Sequence, residues 1–226
     1  GNSARSLVYA DGILLSNLLG NGAEFTPRWG LVSPDEIERV DVLYGPFSAA
    51  YPGNSAGAIV DVLTRMPDRF EAHVKLQGFS QRFKLYATDE RYSGGQASAS
   101  LGSRSGAFSW WLSLNRLDGA GQPLVIARAA VPTTTSSAGT PVSGAQPGAD
   151  QYGRPFYNLG TTAQTDTVQD HAKLKLGWDI TPTLRASYTL GAWRNEAERS
   201  VDSSLRDAAG NTVYAGTVNI DGHAVT

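Results

Sequence analysis

The sequence predicts an α+β region of short mixed strands and short helices over residues 1–67, followed over residues 68–226 by antiparallel strands of an incomplete transmembrane β-barrel. Three observations carry the prediction. Short apolar runs alternate with helix-start signals before Met66-Pro67, strict two-residue alternation follows it, and the connections in that second stretch are either tight or very long.

In the first region, residues 7–10 form an apolar run that ends at Asp11-Gly12, and residues 40–44 and 58–63 are runs of similar strand length. Ser33-Pro34-Asp35-Glu36 combines a capping serine, a proline at the first helical position and a glutamate at the third, which predicts a short helix over residues 34–39. A one-turn helix is expected from Gly45-Pro46, stopped by Pro52-Gly53.

Five alternating segments follow. Their apolar rows are Phe70, Ala72, Val74 and Leu76; Ala97, Ala99 and Leu101; Phe108, Trp110, Leu112 and Leu114; Ala172, Leu174, Leu176, Trp178 and Ile180; and Leu184, Ala186, Tyr188, Leu190 and Ala192. The intervening rows are polar, and only Trp111 breaks one of them. A soluble antiparallel sandwich alternates in the same way, so the connections decide between the two. Residues 102–106 and 179–183 are tight links, whereas residues 118–168 form a long outer loop rich in Gly, Ser, Thr and Pro. Tight turns on one side and long loops on the other are the asymmetry of outer-membrane barrels, and Trp110, Trp178 and Tyr188 lie on the apolar rows where an interfacial girdle requires aromatics. The other reading of these three is ordinary core aromatics.

Composition narrows the function classes. Nineteen Lys plus Arg against 21 Asp plus Glu give a net charge of −2, so no nucleic-acid partner is expected. No cysteine is present, which removes disulfide frameworks and thiolate metal sites. No uninterrupted apolar run reaches the roughly 18 residues of a spanning helix, and no signal segment opens the chain; it is either soluble or meets lipid as a barrel that has lost its targeting peptide. Glycine at 25 residues and a mean hydropathy of −0.25 suit strands with a polar inward face. His73, His171 and His223 lack metal-ligand spacing, and no nucleophile-elbow, phosphate-loop or dinucleotide motif occurs. No metal, no cofactor and no enzyme activity are expected.

The stretch Val8-Tyr9-Ala10-Asp11-Gly12, then Ile37-Glu38-Arg39-Val40-Asp41-Val42, Gly45-Pro46, Tyr51, Gly57 and Thr64-Arg65-Met66-Pro67 resembles the C-terminal half of the plug of a TonB-dependent receptor, with the elements in that family's order. The resemblance covers about a quarter of the chain closely; the strands support it by pattern. It implies an outer-membrane importer of scarce nutrients, iron–siderophore chelates first among them, with a plugged barrel of about 22 strands. It also implies an inner-membrane TonB complex as energy source, outer-membrane lipid as surroundings and a small nutrient such as a metal chelate as ligand. The TonB-contacting segment, the first half of the plug and most of the barrel are expected to lie outside these 226 residues, since five strands cannot close in lipid.

The residues expected at the plug motif or plug–barrel contact are Asp11, Gly12, Glu38, Arg39, Asp41, Tyr44, Gly45, Pro46, Gly53, Gly57 and Arg65. Tyr44 stands where the family has arginine before Gly-Pro, so the charged latch that arginine would supply falls to Arg39 and Glu38 or is weaker. Pro52-Gly53 shifts the turn that in the family starts with glycine. Glu38, Arg39 and Asp41 either line the seam or form a solvated face, and the glycines either serve the backbone or approach a ligand. Phe25, Arg28 and Trp29 in one loop and Tyr152 and Arg154 in the long loop are the candidate substrate contacts, through stacking and charge; the alternative for the long loop is a mobile surface loop. Two rivals stand beside the importer: a non-energised pore or adhesin barrel, and a soluble all-β carbohydrate-binding protein or hydrolase.

Overall fold

The computed structural model describes residues 6–16, 29–44, 50–51 and 57–226. Its first sheet contains β1 (Leu7–Ala10), β2 (Ile13–Leu14), β3 (Ile37–Leu43) and β4 (Ile59–Thr64) in the order β2-β1-β4-β3. Asp11 (φ 48°) and Gly12 (φ 78°) make a two-residue turn between β1 and β2, the left-handed pair that Asp-Gly adopts most readily. β1 runs parallel to β4, and β3 pairs antiparallel with β4. Val8, Ala10, Leu15 and Val62 form a buried cluster against Leu31, Val32 and Val60.

The helix expected over residues 34–39 is not formed. Pro34–Glu36 is a single 3-10 turn, and Ile37–Leu43 continues as strand. The helix-start residues still act: the Ser33 N–H donates to Glu36 Oε1 at 2.7 Å. From Ile37 onward, pairing with β4 satisfies the backbone better than continued winding of a β-branched run. A second 3-10 turn covers Trp29–Leu31; the helix expected at Gly45-Pro46 lies outside the described residues.

The remaining strands are β5 (Glu71–Leu85), β6 (Thr88–Ser105), β7 (Phe108–Ala120), β8 (Val125–Ala130), β9 (Thr140–Pro141), β10 (Gln146–Ala149), β11 (Pro155–Thr181), β12 (Leu184–Ser203), β13 (Val218–Ile220) and β14 (His223–Val225). β5, β6, β7, β11 and β10 follow one another in an open sheet, with β12 and β8 also pairing β11. All five alternating segments are strands, and each of these strands extends beyond the alternation. β5 and β6 meet at a tight turn around Tyr86 (φ 52°) that the alternation does not signal. The reason is visible in the sequence: apolar residues occupy even positions up to Leu76 and odd positions from Phe79 to Leu85, so the pattern changes phase within one strand.

Two compact units result. One contains residues 1–77, 96–117 and 169–195; the other contains residues 78–95, 118–168 and 196–226. In the second, the stretch expected as a long loop carries β8, β9 and β10 and the first half of β11. A core of Tyr157, Leu205, Val218, Ile220 and Val225 and a small sheet of β9, β13 and β14 organise it. Among the described residues no helix is long and apolar enough to cross a membrane, a statement that leaves strand-built membrane proteins untouched.

Candidate functional site

Within the first unit, β11 alternates buried and half-buried residues from His171 to Gly177. Its buried positions there are His171, Lys173, Lys175 and Gly177, an unusual row because a lysine is almost never fully buried without a partner. Both lysines have partners on the first sheet and its turns. The Lys173 Nζ lies 2.7 Å from Glu36 Oε1 and donates to the Leu31 carbonyl at 3.1 Å; the Glu36 side chain is 1% exposed and that of Lys173 4%. The Lys175 Nζ donates to the Thr64 carbonyl (3.0 Å) and Thr64 Oγ1 (2.6 Å) and lies 3.1 Å from Asp11 Oδ2, which occupies all three of its hydrogens. The Thr64 N–H donates to Asp11 Oδ1 at 2.9 Å, and the Thr64 hydroxyl passes its hydrogen to Asp11 Oδ2. His171 Nε2 sits 3.3 Å from the Leu31 carbonyl and 4.0 Å from Glu36 Oε1.

The other strands of this unit meet the same segment through the same alternate face. Lys75 on β5 and Ser98 on β6 both bond Asp35, at 3.0 and 2.8 Å. On β12, Gly191 lies beneath Leu31 and the Trp193 ring covers Gly30, where a Cβ would collide with it. Trp111, the residue that breaks a polar row, is completely buried on this face; its ring approaches that of His73 at 6.5 Å and packs over Gly102. The two tight turns are tied together by Arg104, which pairs with Asp179, and by the Asp179 N–H, which donates to the Ala107 carbonyl.

The opposite face carries the apolar rows, and none of the described residues of the unit covers it. Val74, Leu76, Ala97, Leu114, Ala172 and Ala192 line one shallow apolar groove, with Leu76 79% exposed. The apolar rows stop at a common level, where Arg116 pairs with Asp170 at 3.1 Å.

Electrostatics follow from the packing. Burial pushes the Asp11 carboxyl up, but hydrogen bonds from Thr64 and the Lys175 charge outweigh it and hold it below the usual value. Asp35 is likewise lowered: burial opposes, and Ser98 and Lys75 prevail. Asp61 moves the other way, raised by burial and by the neighbouring Asp41 and Asp11 charges.

Of the residues expected at the plug contact, Asp11 is the one brought to a lysine of the long strands, with Gly12 in its turn. Arg39 pairs with Asp41 at 3.0 Å on β3, whose residues, Glu38 included, are all exposed; Tyr44 and Gly57 are exposed as well. Arg65 contributes its backbone N–H to the Glu36 carbonyl at 2.8 Å. Gly45, Pro46, Gly53, Phe25 and Arg28 lie outside the described residues, and Trp29 opens a 3-10 turn. Tyr152 and Arg154 flank a turn in which Arg154 bonds Asp150 at 2.6 Å and lies over the Tyr152 ring, so its charge is satisfied locally. Glu36, Thr64, Lys173 and Lys175 were legible only as a helix start and a polar row. Two lysines at alternate positions of the fourth alternating segment were the available signal. No group of His, Cys, Asp or Glu among the described residues is arranged to hold a metal ion.

Residues 1–59 match the family model of the TonB-dependent Receptor Plug Domain. No curated protein matches the chain. Among solved structures, it is similar to a mutant ferric enterobactin receptor (PfeA) of Pseudomonas aeruginosa in complex with enterobactin, at 18% identity and TM-score 0.55, over 86% of this chain and 26% of that one. It is also similar to PfeA in complex with BCV-L6, at 17% identity and TM-score 0.59 over 86% and 26%, and to the siderophore receptor PirA of Acinetobacter baumannii, at 15% identity and TM-score 0.57 over 86% and 24%. The chain thus spans about a quarter of the length of these structures. At these identities the structural likeness speaks for the fold alone, and the family match extends to residues 1–59, which carry the plug domain of TonB-dependent receptors.

Proposed function

We propose that this chain is the part of an energy-coupled outer-membrane importer in which residues 1–67 are the C-terminal half of the plug and residues 68–226 are the first strands of the barrel. The observation that carries the reading is the two-sided use of β5, β6, β7, β11 and β12. One face grips the plug segment through polar and charged groups, and the other presents bare apolar side chains suited to hydrocarbon. A soluble sandwich would instead pack those apolar rows against a second sheet.

The relatives in solved structures include a siderophore receptor and a ferric enterobactin receptor, so an iron chelate is the proposed cargo and a TonB complex the proposed energy source. Transport, not catalysis, is the proposed activity. The open face of β3, with Ile37, Val40 and Val42 exposed, is where barrel strands beyond this chain would close over the plug.

The test is iron-limited growth of a bacterial strain lacking its own siderophore receptors, complemented with the complete gene, with and without a working TonB complex. Growth on a ferric siderophore that requires both is the expected result, together with recovery of the protein in the outer-membrane fraction. Uptake that persists without the TonB complex would point to a passive pore, and a detergent-independent soluble monomer would remove the membrane reading altogether.

A further inference from the structure

Among the described residues, the ion pairs between the plug segment and the strands run one way. Asp35 meets Lys75, Glu36 meets Lys173, and Asp11 meets Lys175: among these described pairs each acid lies on the plug and each base on the wall. Two of the three cations stand on one strand at alternate positions, beside His171 on the same row. A latch needs complementary charge, but either polarity serves, and mixed polarity would leave a neutral wall. Here the consistent polarity means that displacing the plug carboxylates uncovers a run of positive charge on the lumen side of the wall.

We infer that Lys75, Lys173 and Lys175 have a second role beyond holding the plug: they form an anion-transit ladder, in which the carboxylates of the seated plug occupy places that an anionic cargo takes once the plug moves. The inference rests on the transporter reading above and names the cargo class as anionic, such as a negatively charged metal chelate. The physical argument is continuity of charge compensation. A lysine removed from its partner in a confined, poorly hydrated lumen carries a large desolvation cost, and an entering anion offsets that cost as the plug carboxylate did. Lys175, with three acceptors in the closed state, has the most to regain. The same groups would slow the passage of cations and leave neutral solutes unaffected.

The experiment uses the full-length receptor in a planar bilayer, with the plug unfolded by urea added on one side and the reversal potential read in a KCl gradient. This readout needs no knowledge of the cargo and is blind to how well the plug seats. Replacing Lys173 and Lys175 by glutamine should lower the anion-over-cation permeability ratio by about twofold or more, because two charges facing a narrow lumen weight local ion concentrations strongly. Lys173→Arg with Lys175→Arg, which keeps the charge, should leave the ratio unchanged. Exchanging the pairs (Lys173→Glu and Lys175→Glu with Asp11→Lys and Glu36→Lys) keeps opposite charges facing each other but gives up the hydrogen bonds to the Leu31 and Thr64 carbonyls; it should invert the preference, and gives a second measurement should the glutamine variant fail to insert. Equal reversal potentials across wild type, glutamine and swapped receptors would overturn the ladder and leave the lysines as a latch alone. A wild-type receptor that opens no conductance when its plug is unfolded would instead defeat the transporter reading beneath it.

Discussion

Alternate residues of β11 live in two different surroundings. His171, Lys173 and Lys175 are buried against the plug segment, each within reach of a carboxylate or carbonyl, while Leu174, Leu176 and Trp178 on the other face are partly or well exposed. In a water-soluble sheet the usual arrangement is the reverse, with charges outside and leucines inside. The inversion is the arrangement that the proposed importer requires of a strand set between a polar interior and hydrocarbon, and on that reading the strength of any one contact depends on which side it faces.

This contrast can be broken from either side. The largest effect is expected on the buried face: Glu36→Ala leaves Lys173 with a buried, uncompensated charge and should weaken plug seating by about 3–5 kcal/mol. It is measured as the denaturant midpoint of plug release in the detergent-solubilised receptor, and a shift below ~1 kcal/mol would mean that water already reaches Lys173. On the apolar face, Leu174→Arg should cost about 2–4 kcal/mol in a lipid bilayer if that position lies near the midplane. The same substitution should be close to neutral if the face is in water, so folding titrations into vesicles tell the two surroundings apart.

Acid sharpens the buried side further. Asp11 and Asp35 have carboxyls lowered in the folded state, so their stabilisation is complete above the unfolded value of 3.8 and is lost as pH falls through the folded value. Plug release monitored by protease accessibility should therefore be flat from neutrality down to about pH 4 for these two groups and rise below it. Asp61, raised by burial and neighbouring acids, has the opposite sign: its ionised form is a cost above the folded value, and Asp61→Asn should stabilise the plug sheet at neutral pH, an effect that a thermal melt would register as a higher midpoint. The smallest effect belongs to the exposed turn of the second unit, where Arg154→Ala removes a local ion pair and should change stability by ~1 kcal/mol or less.

Much of the fold was legible. The Asp11-Gly12 turn, the strand character of residues 7–10 and 58–63, and the five alternating segments follow from local propensity and period, and each is found as a strand or turn. Residues 34–39 were misread because a helix-start signature reports only the first turn, and cross-strand pairing with β4 took over at Ile37. Residues 78–95 and 118–168 were missed as strands because the apolar row there changes phase or gives way to polar and glycine positions, which period-two reading scores as loop.

What the sequence by itself determined is the pattern of two faces: alternation is a local property, set by successive side chains pointing to opposite sides of a pleated strand, and needs no partner to be read. What only the tertiary structure decided is the pairing of charges. Asp11 and Lys175 are separated by most of the chain, as are Glu36 and Lys173, and nothing in the identity of an acid or a lysine says which distant partner it will meet. That choice is made by register and packing, which bring a turn of the first sheet and one face of β11 close enough for the loss of water around each charge to be offset by the other.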